Sequence, residues 1–304
     1  MLKFYVPDKN SARSSSRLRA SIPAENYGKV ISNIHDIEDG DIVVFSKKSS
    51  IPEIQYVMNR DIKFIFDICD DQFKDPAYVN LFSYACSHCD LITVPSQTMK
   101  ELAEYYTNKK VFITLEPYER ERRQSFFSPS DVLKILFFGS VDNFSAVPWQ
   151  DIVNGLVSNN VKFKIDAIIN YQSMYDVNES FFQTHEWSFD KQTKLLDECD
   201  LVLLPFKNNS KNISTKSPNR IVESINRGKF VVTNYGVDSY KDFKNFIFLD
   251  NYDKLVDGIL WSLNNKEEVI QKIVDGQKYI DDNYSVDSVS ETWKQAYELA
   301  KCIN

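Results

Sequence analysis

The side chains with the clearest chemical potential lie in one short stretch, Lys216-Ser217-Pro218-Asn219-Arg220-Ile221-Val222-Glu223. It falls between two apolar runs, Leu201 to Phe206 and Phe230 to Thr233, which read as buried strands. The stretch itself reads as a polar loop that leads into a helix. Unpaired amides and the helix dipole favour anions at such a helix start, outside the carboxyl end of a strand. The pattern therefore predicts an anionic ligand here.

A nucleotide diphosphate sugar is one ligand class that suits these side chains. Lys216 and Arg220 offer positive charge for phosphates, and Glu223 offers a carboxylate for ribose hydroxyls. Because two cations already serve the diphosphate, acidic residues elsewhere do not by themselves imply a metal. We expect a nucleotide-sugar co-substrate, with no cofactor and no metal requirement.

Composition excludes several other classes of protein. A chain of 304 residues exceeds the size at which one core usually keeps growing, so two domains are expected. The net charge of -7 argues against general nucleic-acid binding, which calls for a basic surface. No apolar run is long enough to span a bilayer, and the apolar start is too short for a signal peptide. We therefore expect a cytoplasmic protein.

The five cysteines are an odd number in a large chain, which argues against a disulfide framework. Cys86-Ser87-His88-Cys89 has the spacing of half a zinc site, but the other cysteines are isolated. A buried helix end is the preferred interpretation.

Short runs of β-branched and aromatic residues alternate with helical patterns, which is typical of parallel sheets flanked by helices. The predicted strands are Lys3 to Val6, Asp41 to Phe45, Lys63 to Asp67, Leu91 to Val94, Lys110 to Thr114, Lys134 to Phe138, Lys162 to Ile168, Leu201 to Leu204, Phe230 to Thr233 and Phe246 to Leu249. The predicted helices include Thr98 to Tyr106, Lys191 to Glu198, Lys254 to Asn264, Glu267 to Asp281 and Ser285 to Lys301. Cys89 to Pro95 and Cys199 to Pro205 repeat one pattern of helix end, Asp turn and strand, which indicates two similar halves.

The order of several motifs resembles GT-B glycosyltransferases, most closely those related to family 4. The later motifs are Lys216-x-x-Asn219-Arg220-x-x-Glu223 followed by Gly228-x-Phe230-Val231-Val232; the earlier ones are Phe66 to Asp71, Asp90 to Ser96, Ile135 to Ser140 and Trp187-Ser188. The resemblance covers nearly the whole chain. It implies an α/β fold of two Rossmann-like domains facing each other across a cleft, and transfer of a sugar from a nucleotide-sugar donor to a glycan or lipid-linked glycan acceptor.

With the break placed in the charged stretch Glu119 to Asp131, the resemblance implies three segments. Residues 1–124 form the acceptor domain and residues 125–285 the nucleotide-sugar domain. Residues 286–304 form a last helix that crosses back to the first domain. The implied donor-binding residues are Gly139, Ser140, Lys216, Asn219, Arg220 and Glu223.

The chain departs from the family pattern in two places. Thr215 stands where many members have the first of two glutamates separated by seven residues. The diphosphate loop is reduced to Gly139-Ser140, without a clear Arg and Lys pair after it. Retention of anomeric configuration is suggested only by the family likeness, and the missing glutamate weakens it.

Asp67, Asp70 and Asp71 end one predicted strand and form the candidate catalytic group. A carboxylate there could deprotonate or orient the acceptor hydroxyl, and mutual repulsion is expected to raise the pKa of at least one of the three. Capping of the next helix by Asp70 and Asp71 is the alternative interpretation.

Hydroxyl side chains and arginines follow the first strand and could bind donor phosphates or an anionic acceptor. They are Ser11, Arg13, Ser14, Ser15, Ser16, Arg17 and Arg19, of which Ser16 and Arg17 are the candidates. A solvated loop with a serine as helix N-cap is the alternative.

A second cluster of arginines is Arg120, Arg122 and Arg123, beside Phe126-Phe127. It could contact an anionic membrane surface peripherally. A solvated hinge balanced by Glu119 and Glu121 is the preferred interpretation.

Two other functions fit the same pattern. One is a nucleotide-sugar epimerase of GT-B fold, although a chain with three histidines offers few acid and base groups. The other is a non-catalytic module that binds a glycan or a protein partner.

Overall fold

The computed structural model describes residues 1–8, 14–60, 62–171, 174, 176–206 and 214–303. Contacts divide the chain into two compact units. Unit 1 comprises Met1–Glu119, Ser214–Ser217 and Asp281–Asn304, and unit 2 comprises Arg120–Ile213 and Pro218–Ile280. Ser11 and Arg13 of the serine- and arginine-rich loop lie outside the described residues.

Unit 1 is built on a six-stranded parallel sheet in the order β2-β1-β3-β4-β5-β6. Its strands are β1 (Leu2–Tyr5), β2 (Lys29–Ile31), β3 (Ile42–Ser46), β4 (Lys63–Asp67), β5 (Leu91–Val94) and β6 (Val111–Ile113). The chain passes from β1 to β2 on one side, and then returns to place β3 on the other side of β1. Such a reversal of strand order is a topological switch point, where flanking loops diverge and open a crevice.

The helices of unit 1 that precede its last strand in the sequence are α1 (Ser14–Ser16), α2 (Ile22–Tyr27), α3 (Ile51–Met58), α4 (Val79–His88) and α5 (Gln97–Tyr106). Between α1 and α2 lies a π-helical segment, Arg17–Ser21, in which the Ile22 amide donates to the Arg17 carbonyl. Local capping explains where helices begin: Ser50 and Glu53 form a reciprocal capping box on α3.

Unit 2 contains a seven-stranded sheet in the order β13-β12-β11-β7-β8-β10-β9, with every pair parallel except β9 with β10. Its strands are β7 (Leu133–Gly139), β8 (Phe163–Ile169), β9 (Asn178–Glu179), β10 (Phe182–Glu186), β11 (Leu201–Leu204), β12 (Phe230–Asn234) and β13 (Phe248–Asp250). The switch point of this sheet lies between β7 and β11, because the chain fills the β8 side first and then returns.

The helices that cover this sheet are α6 (Val141–Ser145), α7 (Trp149–Ser158), α8 (Phe189–Glu198), α9 (Asn219–Asn226), α10 (Leu255–Asn264) and α11 (Lys266–Tyr284). One apolar core joins the inner face of the strands to α7 and α10, with residues such as Phe137, Leu156 and Ile259 almost fully buried. A four-residue strand such as β11 is buried at every position, which explains its uninterrupted apolar sequence.

Three strands, β4, β5 and β11, have the bounds that the sequence predicts. The short strands β2, β9 and β10 were not predicted. Burial alternates along β10 from Phe182 to Glu186, so polar residues interrupt the apolar run by which a buried strand is recognised in a sequence. The predicted capping role of Asp70 and Asp71 is wrong, because the next helix begins only at Val79 and its N-cap is Tyr78.

The arginines at residues 120–123 differ in exposure: Arg120 is buried in unit 2, whereas Arg122 and Arg123 are exposed. Arg120 has only 2% of its side chain exposed, and Arg122 donates to the Gln277 carbonyl at 3.2 Å. The interpretation of this stretch as a solvated hinge is therefore wrong for Arg120, which is also too buried to meet a membrane surface.

Cys86 and Cys89 lie at the buried end of α4, as the preferred interpretation expects. Within the described residues, no helix combines the length and the apolar character needed to cross a bilayer.

The last helix, α12 (Val286–Cys302), belongs to unit 1. It packs against the face of the sheet that carries Phe4 and Val44, and Trp293 lies in the centre of this core with no exposed surface. The Trp293 ring meets Phe4 edge-on at a centroid distance of 5.0 Å. The Lys63 ammonium donates to the Ala300 and Lys301 carbonyls at the end of the helix, at 3.3 and 3.0 Å.

We expect Trp293→Ala to lower the free energy of unfolding by about 3–5 kcal/mol, because it leaves a large cavity in the unit 1 core. Urea unfolding monitored by circular dichroism measures this loss. Lys294→Ala, on the exposed face of the same helix, is the matched control and should change stability by less than about 0.5 kcal/mol. Equal effects of the two substitutions would show that α12 does not form part of this core.

Candidate functional site

The switch point of unit 2 holds a cationic side chain. Gly139 ends β7, Phe206 follows β11, and Arg220 is the second residue of α9. The Arg220 guanidinium lies 4.8 Å from the centroid of the Phe206 ring and donates to the Phe138 carbonyl at 3.3 Å. A methyl group at position 139 would lie only 2.9 Å from the Arg220 Nη1, so the glycine leaves room for the guanidinium. This is the region where open α/β sheets bind ligands.

The buried side-chain amide of Asn234 holds Phe206 in place. The Asn234 side chain accepts the Phe206 amide at 2.7 Å and donates to the Phe206 carbonyl at 3.0 Å. The buried ring of Tyr240 packs against Phe206 at a centroid distance of 5.6 Å. The guanidinium therefore rests on a platform whose backbone and ring are both fixed.

Ser140 and Asn219 flank this platform. The Ser140 hydroxyl accepts the Asn143 amide at 3.3 Å and so caps α6, while the Val141 amide donates to Asn170 at 2.8 Å. Asn219 is the first residue of α9 and is half-buried. The structure thus brings together Gly139, Ser140 and Arg220, with Asn219 beside Arg220 in the sequence.

Glu223 lies one turn further along α9 and is 5% exposed. Its Oε2 accepts Arg120 Nη1 at 3.0 Å, and Arg120 Nε donates to Thr193 at 2.8 Å. The Arg120 guanidinium also stacks on Phe189, 4.1 Å from the ring centroid. These contacts anchor α9 to α8, and the role of Glu223 as a ribose ligand stays a prediction.

In unit 1, Asp67 is buried in an ion pair with Arg19. Arg19 Nε donates to Asp67 Oδ2 at 3.1 Å, Arg19 Nη2 donates to the other carboxylate oxygen, and Thr93 donates to Asp67 at 2.7 Å. Arg19 also donates to the carbonyl and the hydroxyl of Thr114. The ion pair links the first helices to β4 and β6, and it occupies the carboxylate that was predicted to be catalytic.

Asp70 is shared between two lysines. Its carboxylate accepts Lys47, and it accepts Lys216 Nζ at 3.1 Å. Burial opposes ionisation of this carboxyl, but the nearby charges of Lys216 and Lys47 outweigh it and hold its pKa well below the usual range. The prediction that repulsion among the aspartates raises a pKa is therefore wrong for Asp70. The role of Lys216 in binding the donor stays a prediction.

Glu116 was not a candidate from the sequence. Its pKa is shifted in the opposite direction from that of Asp70. It is 5% exposed and accepts the Ser217 hydroxyl. Burial raises its pKa, and the charge of Arg19 only partly offsets this. Glu116 and Ser217 are far apart in the sequence and carry no motif, so only the fold reveals their contact.

The remaining candidates are Asp71, Arg17 and Ser16. Asp71 accepts the Phe73 amide at 3.4 Å in a turn. Arg17 forms a two-point ion pair with Glu119, at 2.7 and 2.8 Å. Ser16 is 8% exposed. Within the described ranges, no group of three or more His, Cys, Asp or Glu side chains could hold a metal ion.

No protein-family model and no curated protein matches the sequence. Solved structures do match the fold. HepE of Anabaena, in complex with UDP-glucose, gives a TM-score of 0.72 at 11% identity, over 98% of this chain and 99% of HepE. TarM gives 0.64 at 13% identity, over 84% of this chain and 54% of TarM. The E. coli trehalose-6-phosphate structure bound with UDP-2-fluoro glucose gives 0.65 at 10% identity, over 90% of this chain and 76% of that chain.

These neighbours are GT-B glycosyltransferases, which contain two Rossmann-like domains. The chain has this α/β fold of two Rossmann-like units, as predicted from the sequence. It spans about half the length of TarM.

The carboxyls of Asp70 and Glu116 predict opposite pH effects on stability. Unfolded Asp titrates near 3.9, above the folded pKa of Asp70, so this group stabilises the fold above pH ~4 and loses that effect as pH falls toward the folded value. Asp70→Asn should therefore be less stable than wild type at pH 7, and the difference should narrow below pH ~4.

Unfolded Glu titrates near 4.3, below the folded pKa of Glu116, so the ionised form costs stability at higher pH. Glu116→Gln should be more stable than wild type at pH 7, with the difference closing below pH ~4. Denaturant unfolding at pH 7 and at about pH 2.5 tests both, with Glu101→Gln on the surface of α5 as control. A destabilised Glu116→Gln at pH 7 would contradict the assignment.

Proposed function

We propose that this protein is a glycosyltransferase that moves a sugar from a UDP-sugar donor to a glycan or lipid-linked glycan acceptor. The observation that carries the proposal is the Arg220 guanidinium, held on Phe206 beside Gly139 at the switch point of unit 2. Solved structures with this fold hold UDP-glucose in HepE, UDP-2-fluoro glucose in the E. coli protein and UDP in S. aureus TarM.

We assign the donor diphosphate to unit 2. A guanidinium offers two parallel N–H donors to a phosphate, and Gly139 allows the phosphate to approach the backbone closely. Ser140 and Asn219 supply further polar groups at the same edge. Charge that develops on the departing diphosphate is stabilised by the fixed guanidinium. This role needs no metal and no other cofactor.

We assign the acceptor to the carboxyl edge of the unit 1 sheet. A proton acceptor needs a pKa near the working pH. Asp70 has a lowered pKa and Glu116 a raised one, and such divergence separates groups of different catalytic roles. We therefore propose Glu116 as the group that takes the acceptor proton and Asp70, with Asp71, as groups that orient the acceptor. Asp67 holds the Arg19 guanidinium in place through their ion pair.

Product analysis tests the reaction class. The protein is incubated with UDP-glucose and a panel of glycan and lipid-linked acceptors, and the products are separated by mass. Release of UDP together with an acceptor enlarged by one hexose is the expected result. Conversion of UDP-glucose to another UDP-sugar would instead establish an epimerase. Saturable UDP binding with no product from any acceptor would establish a binding module.

The donor assignment is tested by two substitutions in unit 2. Arg220→Ala should weaken UDP binding by at least about tenfold, because it removes a charged hydrogen-bond donor. Gly139→Ala should have a similar effect, because its new methyl would lie 2.9 Å from Arg220 Nη1 and displace the guanidinium. The methyl would also lie 3.2 Å from the buried Phe137 ring, so some loss of stability is expected. Calorimetric titration with UDP measures both.

Arg123→Ala is the matched control, because its side chain is 59% exposed and lies on the surface of the same unit. It should bind UDP as wild type does. Unchanged UDP affinity in both Arg220→Ala and Gly139→Ala would remove the diphosphate from this platform.

A further inference from the structure

A buried tyrosine lies next to the donor platform of unit 2. Tyr240 belongs to a short 3₁₀ helix, Asp238–Phe243, which follows β12, and the residue has no exposed surface. Its ring meets the Phe206 ring at a centroid distance of 5.6 Å and an angle of 66°. The same Phe206 ring carries the Arg220 guanidinium at 4.8 Å. One phenylalanine ring therefore contacts both the tyrosine and the cation.

Arg220 has no counter-charge in the part of the chain that the structure describes. It is half-buried, yet no carboxylate pairs with it there, and its hydrogen bond goes to the neutral Phe138 carbonyl at 3.3 Å. Other arginines of this unit, Arg120 and Arg227, each pair with a carboxylate. A half-buried cation without such a pair suits an anionic ligand, and neutral groups must fix its direction.

The Tyr240 hydroxyl is one of these neutral groups. Burial raises the pKa of this hydroxyl, whereas the charge of Arg220 and a hydrogen-bonding interaction with it act in the opposite direction. Because a guanidinium has only donors, the hydroxyl oxygen is the acceptor in this contact. The contact is incomplete, since the hydroxyl has no hydrogen-bond partner of ordinary geometry among the described residues.

An incomplete contact of this kind has an energetic cost while no ligand is bound. A buried hydroxyl without a full hydrogen bond has lost its hydration, and a phenylalanine would avoid that loss. Hydrogen bonds at functional sites are often long in the free protein and shorten in the complex. A hydroxyl at this position thus favours a role in the ligand-bound state over a role in folding.

We propose that Tyr240 is a positioning residue for the donor: its hydroxyl accepts one Arg220 N–H in the donor-bound state and so directs other N–H groups to the diphosphate. The inference rests on the proposed function, because it takes the diphosphate as the ligand of Arg220. Tyr240 acts through Arg220 and does not touch the donor, since its hydroxyl is fully buried.

Tyr240→Phe tests the proposal because it removes the hydroxyl and keeps the ring. Calorimetric titration should show that UDP binds this variant about fivefold more weakly than wild type. The urea midpoint of the ligand-free variant should equal or exceed that of wild type, since the lost hydroxyl had no full hydrogen bond. Tyr279→Phe is the matched control: its ring packs on Phe243 of the same 3₁₀ helix at 5.4 Å, and it should bind UDP normally.

A double-mutant cycle separates positioning from general packing. If Tyr240 acts through Arg220, adding Tyr240→Phe to Arg220→Ala should cause no further loss of UDP affinity. Additive losses in the double variant, or a lowered urea midpoint that accompanies weaker binding, would show a structural role instead and overturn the proposal.

The same titrations distinguish failure of the proposal from failure of the proposed function. Normal UDP affinity in Tyr240→Phe, together with impaired binding in Arg220→Ala, would refute the role of Tyr240 alone. Failure of wild type to bind UDP, or unchanged UDP affinity in Arg220→Ala, would refute the donor assignment and the role of Tyr240 with it.

Discussion

The reversal of strand order in each parallel sheet is the constraint on which the candidate sites depend. Loops that leave neighbouring strands in opposite directions cannot cover the gap between them, so side chains from both strands meet in a crevice. In unit 2 this brings Gly139, Phe206 and Arg220 together, and in unit 1 it brings the end of β1 close to Lys47 and Lys48. None of these contacts follows from closeness in the sequence.

A buried ion pair in each unit then stabilises the region around its crevice. Arg19 with Asp67 and Arg120 with Glu223 are almost completely enclosed, and each pair is completed by threonine oxygens. Removing one partner of such a pair leaves the other charge buried without compensation, which typically costs about 3–5 kcal/mol. Charges of this kind position their neighbours, and substitution would perturb the fold before it revealed any role in chemistry.

Much of the architecture could be predicted from the sequence because parallel strands are buried on both faces. That burial requires continuous apolar runs, so β4, β5 and β11 are recognisable from composition alone. Edge strands with polar faces, such as β10, lack this signal. Arg220 could be found because its helix follows a buried strand and precedes another.

The site was less predictable because charges take partners that are distant in sequence. Arg17 was selected from its loop, yet it pairs with Glu119, while its neighbour Arg19 turns inward to Asp67. Asp70 lies beside two other aspartates in the sequence, but two lysines decide its ionisation. Spacing alone cannot reveal contacts that span about a hundred residues.

The packing of α12 against β1 has a consequence for synthesis of the chain. Phe4 leaves the ribosome well before Trp293, which covers it, because the whole of unit 2 lies between them in the sequence. Unit 2 includes neither residue, so it can close its own core while that of unit 1 is still open to water. One apolar face of the unit 1 sheet therefore stays uncovered until Trp293 is synthesised. Chaperones would matter most during this interval.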